Sequence, residues 1–323
     1  MPEETREITT SISTKQMKDA IQRSGYLLEQ RVEALLTKEW GFAETSKVFP
    51  DPDTGKSREI DISAISATQI YKKGYNFIFP TLLCECENNS QPLVFFTRES
   101  LVSFLHHEQI KVSGIPVKFW RGDRYVSLSE FTGMEKFHHY CKGPVATQYC
   151  TFQLKKDKSC WIAFHSEEQH DTFNSLIKAL EYEMAKHFDN WFLPGKVEEE
   201  EINIQIYYPL VVLQGSLYSA ALNNNSLTLR KSKHVQFRKE LFLPRINEVE
   251  TYQIDVITEE YLPNYLKIID SEAQRVKRVF QRKKADVLLS IEKIVTEAKG
   301  VKKKQKSYRE CLEFTSRHVF MWD

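Results

Sequence analysis

Asp61, Glu85 and Glu87 are the residues whose type and spacing could do chemistry. In the run Leu83-Cys-Glu-Cys-Glu87, strand alternation places Leu83, Glu85 and Glu87 on one face and Cys84 and Cys86 on the other. In Glu59-Ile-Asp-Ile-Ser63, the same alternation gives Ile60 and Ile62 one face and turns Asp61 the other way. If these two strands pair, Asp61 stands beside Glu85 and Glu87. Three carboxylates gathered among Ile60, Ile62, Leu82 and Leu83 repel one another in a medium of low dielectric. A hard divalent cation, Mg²⁺ or Mn²⁺, makes the group tolerable. Mg²⁺ takes one or two carboxylates together with waters and phosphate oxygens. Such a site can orient and deprotonate a water for attack on a phosphodiester. On spacing alone, the solvated face of an edge hairpin explains the same residues.

The elements that must position these side chains are legible around them. A helix is expected from Thr14 to Trp40, with Ser13 or Thr14 as cap, an interruption at Gly25 and Gly41 as its stop. Met17, Ile21, Leu28, Val32, Leu35 and Leu36 recur at helical spacing as a buried stripe, flanked by Glu29 and Glu33. Pro50-Asp-Pro-Asp-Thr-Gly55 is turn chemistry leading into a strand from Arg58 to Ile65. A second strand spans Asn76 to Glu87, and Leu93 to Phe96, Val117 to Trp120, Tyr149 to Leu154 and Trp161 to Phe164 read as further strands. A helix follows from Glu167 to Phe188. Ile202 to Leu213 is almost continuously apolar, the pattern of a strand covered on both faces. Strands at Leu217 to Leu222, Val235 to Leu243 and Tyr252 to Thr258 precede a long helix from Glu260 to Glu297, with a break expected near Pro263. The expected architecture is α/β, a central mixed β-sheet flanked by helices. It divides into a core at 1–165 and a second α/β portion at 166–323 that ends in a long basic helix.

An amphipathic helix bearing Glu33, then Arg58-Glu59-Ile60-Asp61, then Glu85-Cys86-Glu87, resembles the PD-(D/E)XK nuclease superfamily, the restriction-endonuclease-like fold. The resemblance covers about residues 20 to 100. It implies Asp61 and Glu85 as metal ligands, Glu33 as an accessory carboxylate and a restriction-endonuclease-like core with a C-terminal α/β extension. Ile60 stands where the family often has Pro. Glu87 stands where Lys is expected, and some restriction enzymes with Glu there use it as a ligand or base. Inactive relatives have also lost the Lys. The resemblance therefore implies a Mg²⁺- or Mn²⁺-dependent endonuclease acting on DNA, or a nuclease-like scaffold that binds nucleic acid or protein without cutting. Lys56, Arg58 and Asn88 lie where they could hold the scissile phosphate.

Lys and Arg number 45 and Asp and Glu 44, a net charge of +1, so a nucleic-acid surface has to be a local patch. One exists: from Arg275 to Arg309 there are thirteen Lys or Arg and three acids, including Arg275, Arg278, Lys302, Lys303 and Lys304. Such a segment reads either as a solvated helix face or as an electrostatic footprint for a phosphate backbone. The six cysteines form no CxxC pair, and His138, Cys141, Cys150 and Cys160 lack the spacing of a structural zinc site. No apolar run approaches the roughly 18 residues of a membrane span, and the first residues lack the apolar core of a signal peptide. A cytoplasmic protein is the expectation, with a homodimer compatible with it. The Gly55-Lys56-Ser57 triplet leads into a strand and is not a phosphate-cradling loop.

Overall fold

In a computed structural model of the chain, residues 12–99, 102–156, 159–165, 167–191, 202–224 and 226–302 are described. The fold is α/β, with a 13-stranded mixed sheet flanked by helices. In chain order the helices are α1 (Thr14–Arg23), α2 (Tyr26–Glu39), α3 (Leu128–Thr132), α4 (Glu167–Trp191), α5 (Leu262–Arg282) and α6 (Lys284–Lys302). The first half supplies strands β1 (Phe42–Pro50), β2 (Ser57–Ile65), β3 (Thr68–Gln69), β4 (Asn76–Asn88), β5 (Leu93–Arg98), β6 (Lys111–Ile115), β7 (Lys118–Arg121), β8 (Arg124–Ser127), β9 (Val145–Leu154) and β10 (Trp161–Phe164). The second half supplies β11 (Ile202–Gln214), β12 (Leu217–Asn223), β13 (Ser226–Ser232), β14 (His234–Leu243) and β15 (Glu248–Thr258).

The sheet runs β1-β2-β4-β11-β15-β14-β9-β5-β12-β13. Strands from 1–165 and 166–323 therefore alternate in one sheet, and no sheet boundary falls at 165. The key pairing is β4 with β11, parallel and in register from Asn76–Ile202 to Asn88–Gln214. β11 is covered on both faces and mostly apolar, with Asn203 and Gln205 as buried polar exceptions. Ile204, Ile206, Tyr208, Leu210 and Val212 enter the core under α2, α5 and α6. Tyr207, Val211 and Leu213 enter the core under α4.

Ser13 caps α1 in a reciprocal box with Gln16, and the helical run breaks at Gly25 as its sequence indicates. Leu28, Val32 and Leu36 of α2 are buried, but Met17 and Ile21 of α1 are exposed, so the expected stripe covers only the second helix. Trp40 caps α2, and Gly41 follows because a Cβ there would lie 2.2 Å from the Ile65 carbonyl oxygen. The long C-terminal helix breaks at Lys283, not near Pro263, which sits in the first turn of α5 where its missing N–H costs nothing. No helix among the described residues is long and apolar enough to cross a membrane.

Candidate functional site

The carboxylates gather where β2 parts from β4. The two strands pair antiparallel only from Ile65–Thr81 to Ile62–Cys84. Beyond that point Asp61 has no strand partner on either side, and Ser46, facing it in β1, adopts φ 52°. This irregularity changes the side-chain alternation. Ile62 joins the core under α2, whereas Ile60 joins the core under α4, so the two isoleucines do not share a face as strict alternation requires. Freed from the ladder, the Asp61 carboxylate accepts the Cys86 backbone N–H at 2.7 Å and thereby replaces the missing strand bond. Cys84 and Cys86 belong to the core under α2, on the side away from Glu85, as alternation in β4 predicts.

Asp61 and Glu85 stand in side-chain hydrogen-bond contact. Two carboxylates can share such a contact only if a proton or a cation lies between them. Burial, then the charge of Asp61, pushes the Glu85 carboxyl up to about 10. Asp61 is raised by burial, an effect opposed by the Cys86 N–H. Glu85 Oε1 is buried and no donor reaches it among the described residues. An oxygen desolvated without a donor is costly. Among the described residues Asp61, Glu85 and Glu87 do not bring three ligand atoms within 4.8 Å of one another, so the pair offers an ion two carboxylates and leaves its remaining ligands to water or phosphate oxygens.

Glu87 is buried further along β4, and its carboxylate accepts the Thr172 hydroxyl from α4. Its charge acts on Glu85, but it is not gathered as closely as Asp61. The helix carboxylate beside Asp61 is Glu29, raised by burial and then by the charges of Asp61 and Glu59. Glu33, one turn later, accepts the Thr37 hydroxyl on the helix surface at 2.9 Å. The sequence offered both glutamates on the flank of the stripe. The break at Gly25 sets the phase, and the Gly25 Cα lies against the Cys86 carbonyl and Glu29, with an added Cβ 3.8 Å from each.

The residues expected at the phosphate are otherwise engaged. Arg58 pairs with the buried Asp51, which also takes Lys178 at 2.9 Å. Despite burial, those two cations hold the Asp51 carboxyl well below the usual range. They fix the β1–β2 turn. Lys56 is exposed in that turn. Asn88 donates to the Ser24 carbonyl at 3.2 Å and ties the end of β4 to the α1–α2 junction. Arg275 and Arg278 lie on α5 and line a separate basin. The last turn of that helix meets the connection that leads from β3 into β4, through Tyr71 to the Phe280 carbonyl and Gln281 to the Ile70 carbonyl. Asp61 and Glu85 sit near the other end of the strand. Lys302 closes α6, and Lys303 and Lys304 lie outside the described residues.

A second polar constellation is buried between the sheet and α5. His139 Nδ1 lies 3.0 Å from Glu272 Oε1 and Nε2 lies 2.9 Å from Asp255 Oδ2. Although burial opposes its charge, the two carboxylates push His139 up to about 10, so it is an imidazolium clamped between them. Tyr265 donates to Asp255 at 2.6 Å and Tyr208 to Glu272 at 3.2 Å. His138, His139 and Glu272 place their donor atoms within 4.8 Å of one another. The tautomer of His138 argues for protons there instead of a metal. Its Nδ1 accepts the Tyr140 N–H at 3.2 Å, so the ring proton sits on Nε2, which faces Glu272 Oε2 at 3.4 Å. A ligating histidine carries the opposite arrangement, its second nitrogen donating outward. Burial holds His138 down to about 4, and it is neutral. The sequence signals for this network were the His138-His139 pair and the Asp255 in Gln253-Ile-Asp-Val256, which lie far apart in the chain. Cys141 is buried near Phe104, Cys150 belongs to a different core and Cys160 is exposed, so they form no zinc set with His138.

Compared with family models, with curated proteins and with solved structures, the chain matches none.

Proposed function

We propose that the protein is a divalent-metal-dependent endonuclease that hydrolyses phosphodiester bonds of DNA, with its centre at Asp61 and Glu85. The observation that carries this reading is the contact between the Asp61 and Glu85 carboxyls, made where β2 leaves β4, with Glu85 Oε1 given no donor. Asp61 and Glu85 would hold Mg²⁺ or Mn²⁺, and a bound dication would acidify a coordinated water and neutralise charge developing on the phosphate. The chain's own contribution is positional. The Cys86 N–H fixes one Asp61 oxygen, leaving the other for an ion. Glu29 approaches from α2 as the accessory carboxylate in place of Glu33. Glu87, held by Thr172, stands at the position of the family's Lys and would act as an outer acceptor for the water proton.

One observation favours a second reading, a nuclease-like protein that binds without cutting. Lys47 of β1 and Lys178 of α4, on elements packed against β2, are engaged with Glu183 at 3.1 Å and Asp51 at 2.9 Å, so neither substitutes for the missing catalytic Lys. Incubating the purified chain with supercoiled and single-stranded DNA in Mg²⁺, Mn²⁺ or EDTA separates the two. The nuclease reading expects cutting that needs the metal and falls at least a hundredfold in Asp61→Asn and in Glu85→Gln, on the order of 3 kcal/mol of barrier. Metal-independent DNA binding with no nicking at any metal concentration would replace it with the second.

A further inference from the structure

A basin of 580 Å³ opens on the far side of α5 from the sheet. Its lining includes Arg121, Lys136, Arg275, Arg278, Arg282 and Lys283, against two carboxylates, Glu130 and Glu135. Four elements wall it: α5, α3, the turn from Gly133 to Phe137, and the end of β7. The sequence of α5 makes this inevitable once its apolar face is buried. Ile269, Val276 and Phe280 enter the core, and Arg275, Arg278 and Arg282, spaced three and four apart, fall together on the opposite face.

Arg121 and Lys136 pair with Glu130 and Glu135 at 3.7 and 3.8 Å, whereas Arg275 and Lys283 are held by rings. The Arg275 guanidinium lies 5.5 Å from the Phe137 ring centre. The Lys283 ammonium lies 4.5 Å from the Phe131 ring centre and donates to the Phe131 carbonyl at 3.0 Å. Among the described residues none of Arg275, Arg278, Arg282 and Lys283 is paired with a carboxylate, whereas Arg121 and Arg124 share Glu130 at 3.7 and 2.7 Å. A ring orients a cation without cancelling its charge. Arg282, in the last turn of α5, complements the free carbonyls at the helix end, but Arg275 and Arg278 lie a turn or more earlier and have no such role. Six cations line the basin against two carboxylates, Glu130 and Glu135, which are taken up by Arg121 and Lys136, so the α5 cations repel one another without a carboxylate partner of their own. An open concavity of this volume is in the range of small-ligand sites.

We propose that this basin binds a small ligand carrying two or more linked phosphate groups, such as a nucleoside triphosphate or an inorganic oligophosphate. Fork-shaped guanidiniums take two phosphate oxygens each, and Phe131 and Phe137 supply an apolar floor. The site is separate from Asp61 and Glu85, so it stands whether or not the chain cleaves DNA.

Calorimetric titration of the full chain in EDTA, with sodium tripolyphosphate and with ATP in separate runs, tests it. The expected result is saturable binding of at least one of them that weakens with added salt and falls at least tenfold in the Arg275→Ala/Arg278→Ala double variant. Tighter binding of ATP assigns the ligand as a nucleotide, and equal binding assigns the phosphate chain alone. Both arginines are exposed, so an unchanged melting temperature will show that the variant is folded. Asp61→Asn should leave the titration unchanged, which separates this site from the carboxylate centre. No binding of either probe, or equal binding by the double variant, overturns the proposal. So does binding of a labelled dT20 oligonucleotide that depends on Arg275 and Arg278 when neither small probe binds.

Discussion

Without a bound cation Glu85 carries a proton at neutral pH, because burial and the Asp61 charge push it up to about 10. In the unfolded chain the same carboxyl ionises at about 4.3. A folded value above the unfolded one gives a contribution fully present below the unfolded value and lost as pH rises toward 10. The metal-free protein should therefore lose stability from pH 5 to pH 9, and Glu85→Gln, which cannot ionise, should flatten that loss. We expect Glu85→Gln to melt about 2 °C or more above the parent at pH 8 in EDTA and close to it at pH 5. A parent that melts alike at both pH values would contradict the assignment. Mn²⁺ should in turn release protons on binding, read as a calorimetric enthalpy that varies with the ionisation enthalpy of the buffer. His139 obeys the same sign: raised to about 10 in the fold, its contribution is full below about 6.5 and fades above it. His139→Phe leaves Glu272 buried without its imidazolium and Asp255 with only His234 and Tyr265, and should cost about 3–5 kcal/mol in urea denaturation at pH 7. A cost under 1 kcal/mol would mean that the ring is not charged.

Elements with a clear apolar rhythm were readable, and those without one were not. Leu28, Val32 and Leu36 announce α2, and the nearly continuous apolar run of β11 announces a central strand. β13 reads Ser-Leu-Thr-Leu-Arg-Lys-Ser and β1 reads Phe-Ala-Glu-Thr-Ser-Lys-Val-Phe-Pro, both at sheet margins with mostly exposed side chains, so neither carries a burial pattern to find. Within the site, the two strands that bring Asp61 near Glu85 were recognisable, but the contact is made just where their pairing ends, an irregularity that strict alternation does not give. The choice of Glu29 over Glu33 was not legible either, because it depends on how the Gly25 break docks α2 against Cys86. The network at His139 was hidden for a related reason, since its members come from a short turn, a strand and a helix joined only in three dimensions. Gly41 shows how closely the site's elements are fitted. Gly41→Ala would drive a methyl group to 2.2 Å from the Ile65 carbonyl oxygen. Displacing α2 from β2 should cost about 1–3 kcal/mol, measured as a lowered urea midpoint, and should weaken Mn²⁺ binding through Glu29. An unchanged midpoint would show that the backbone yields there at little cost.

At the scale of the whole molecule, the sheet interleaves strands from both halves of the chain, and β11 lies between β4 and β15. Unfolding in urea should accordingly show one transition by fluorescence and by far-ultraviolet circular dichroism together. A fragment of residues 1–165 should lack cooperative melting, because β4 would be left with one face of its ladder unpaired. A fragment that melts cooperatively would show that the first half is a domain in its own right. The same interleaving bears on how the chain is born. The carboxylate-bearing strand leaves the ribosome long before the segment that completes its ladder, and its apolar edge has to wait without a native neighbour. Long-range parallel pairing of this kind is slow, and open strand edges attract other chains. Yield in a living cell should therefore depend on holding chaperones and on lower growth temperature, even where the finished protein is durable.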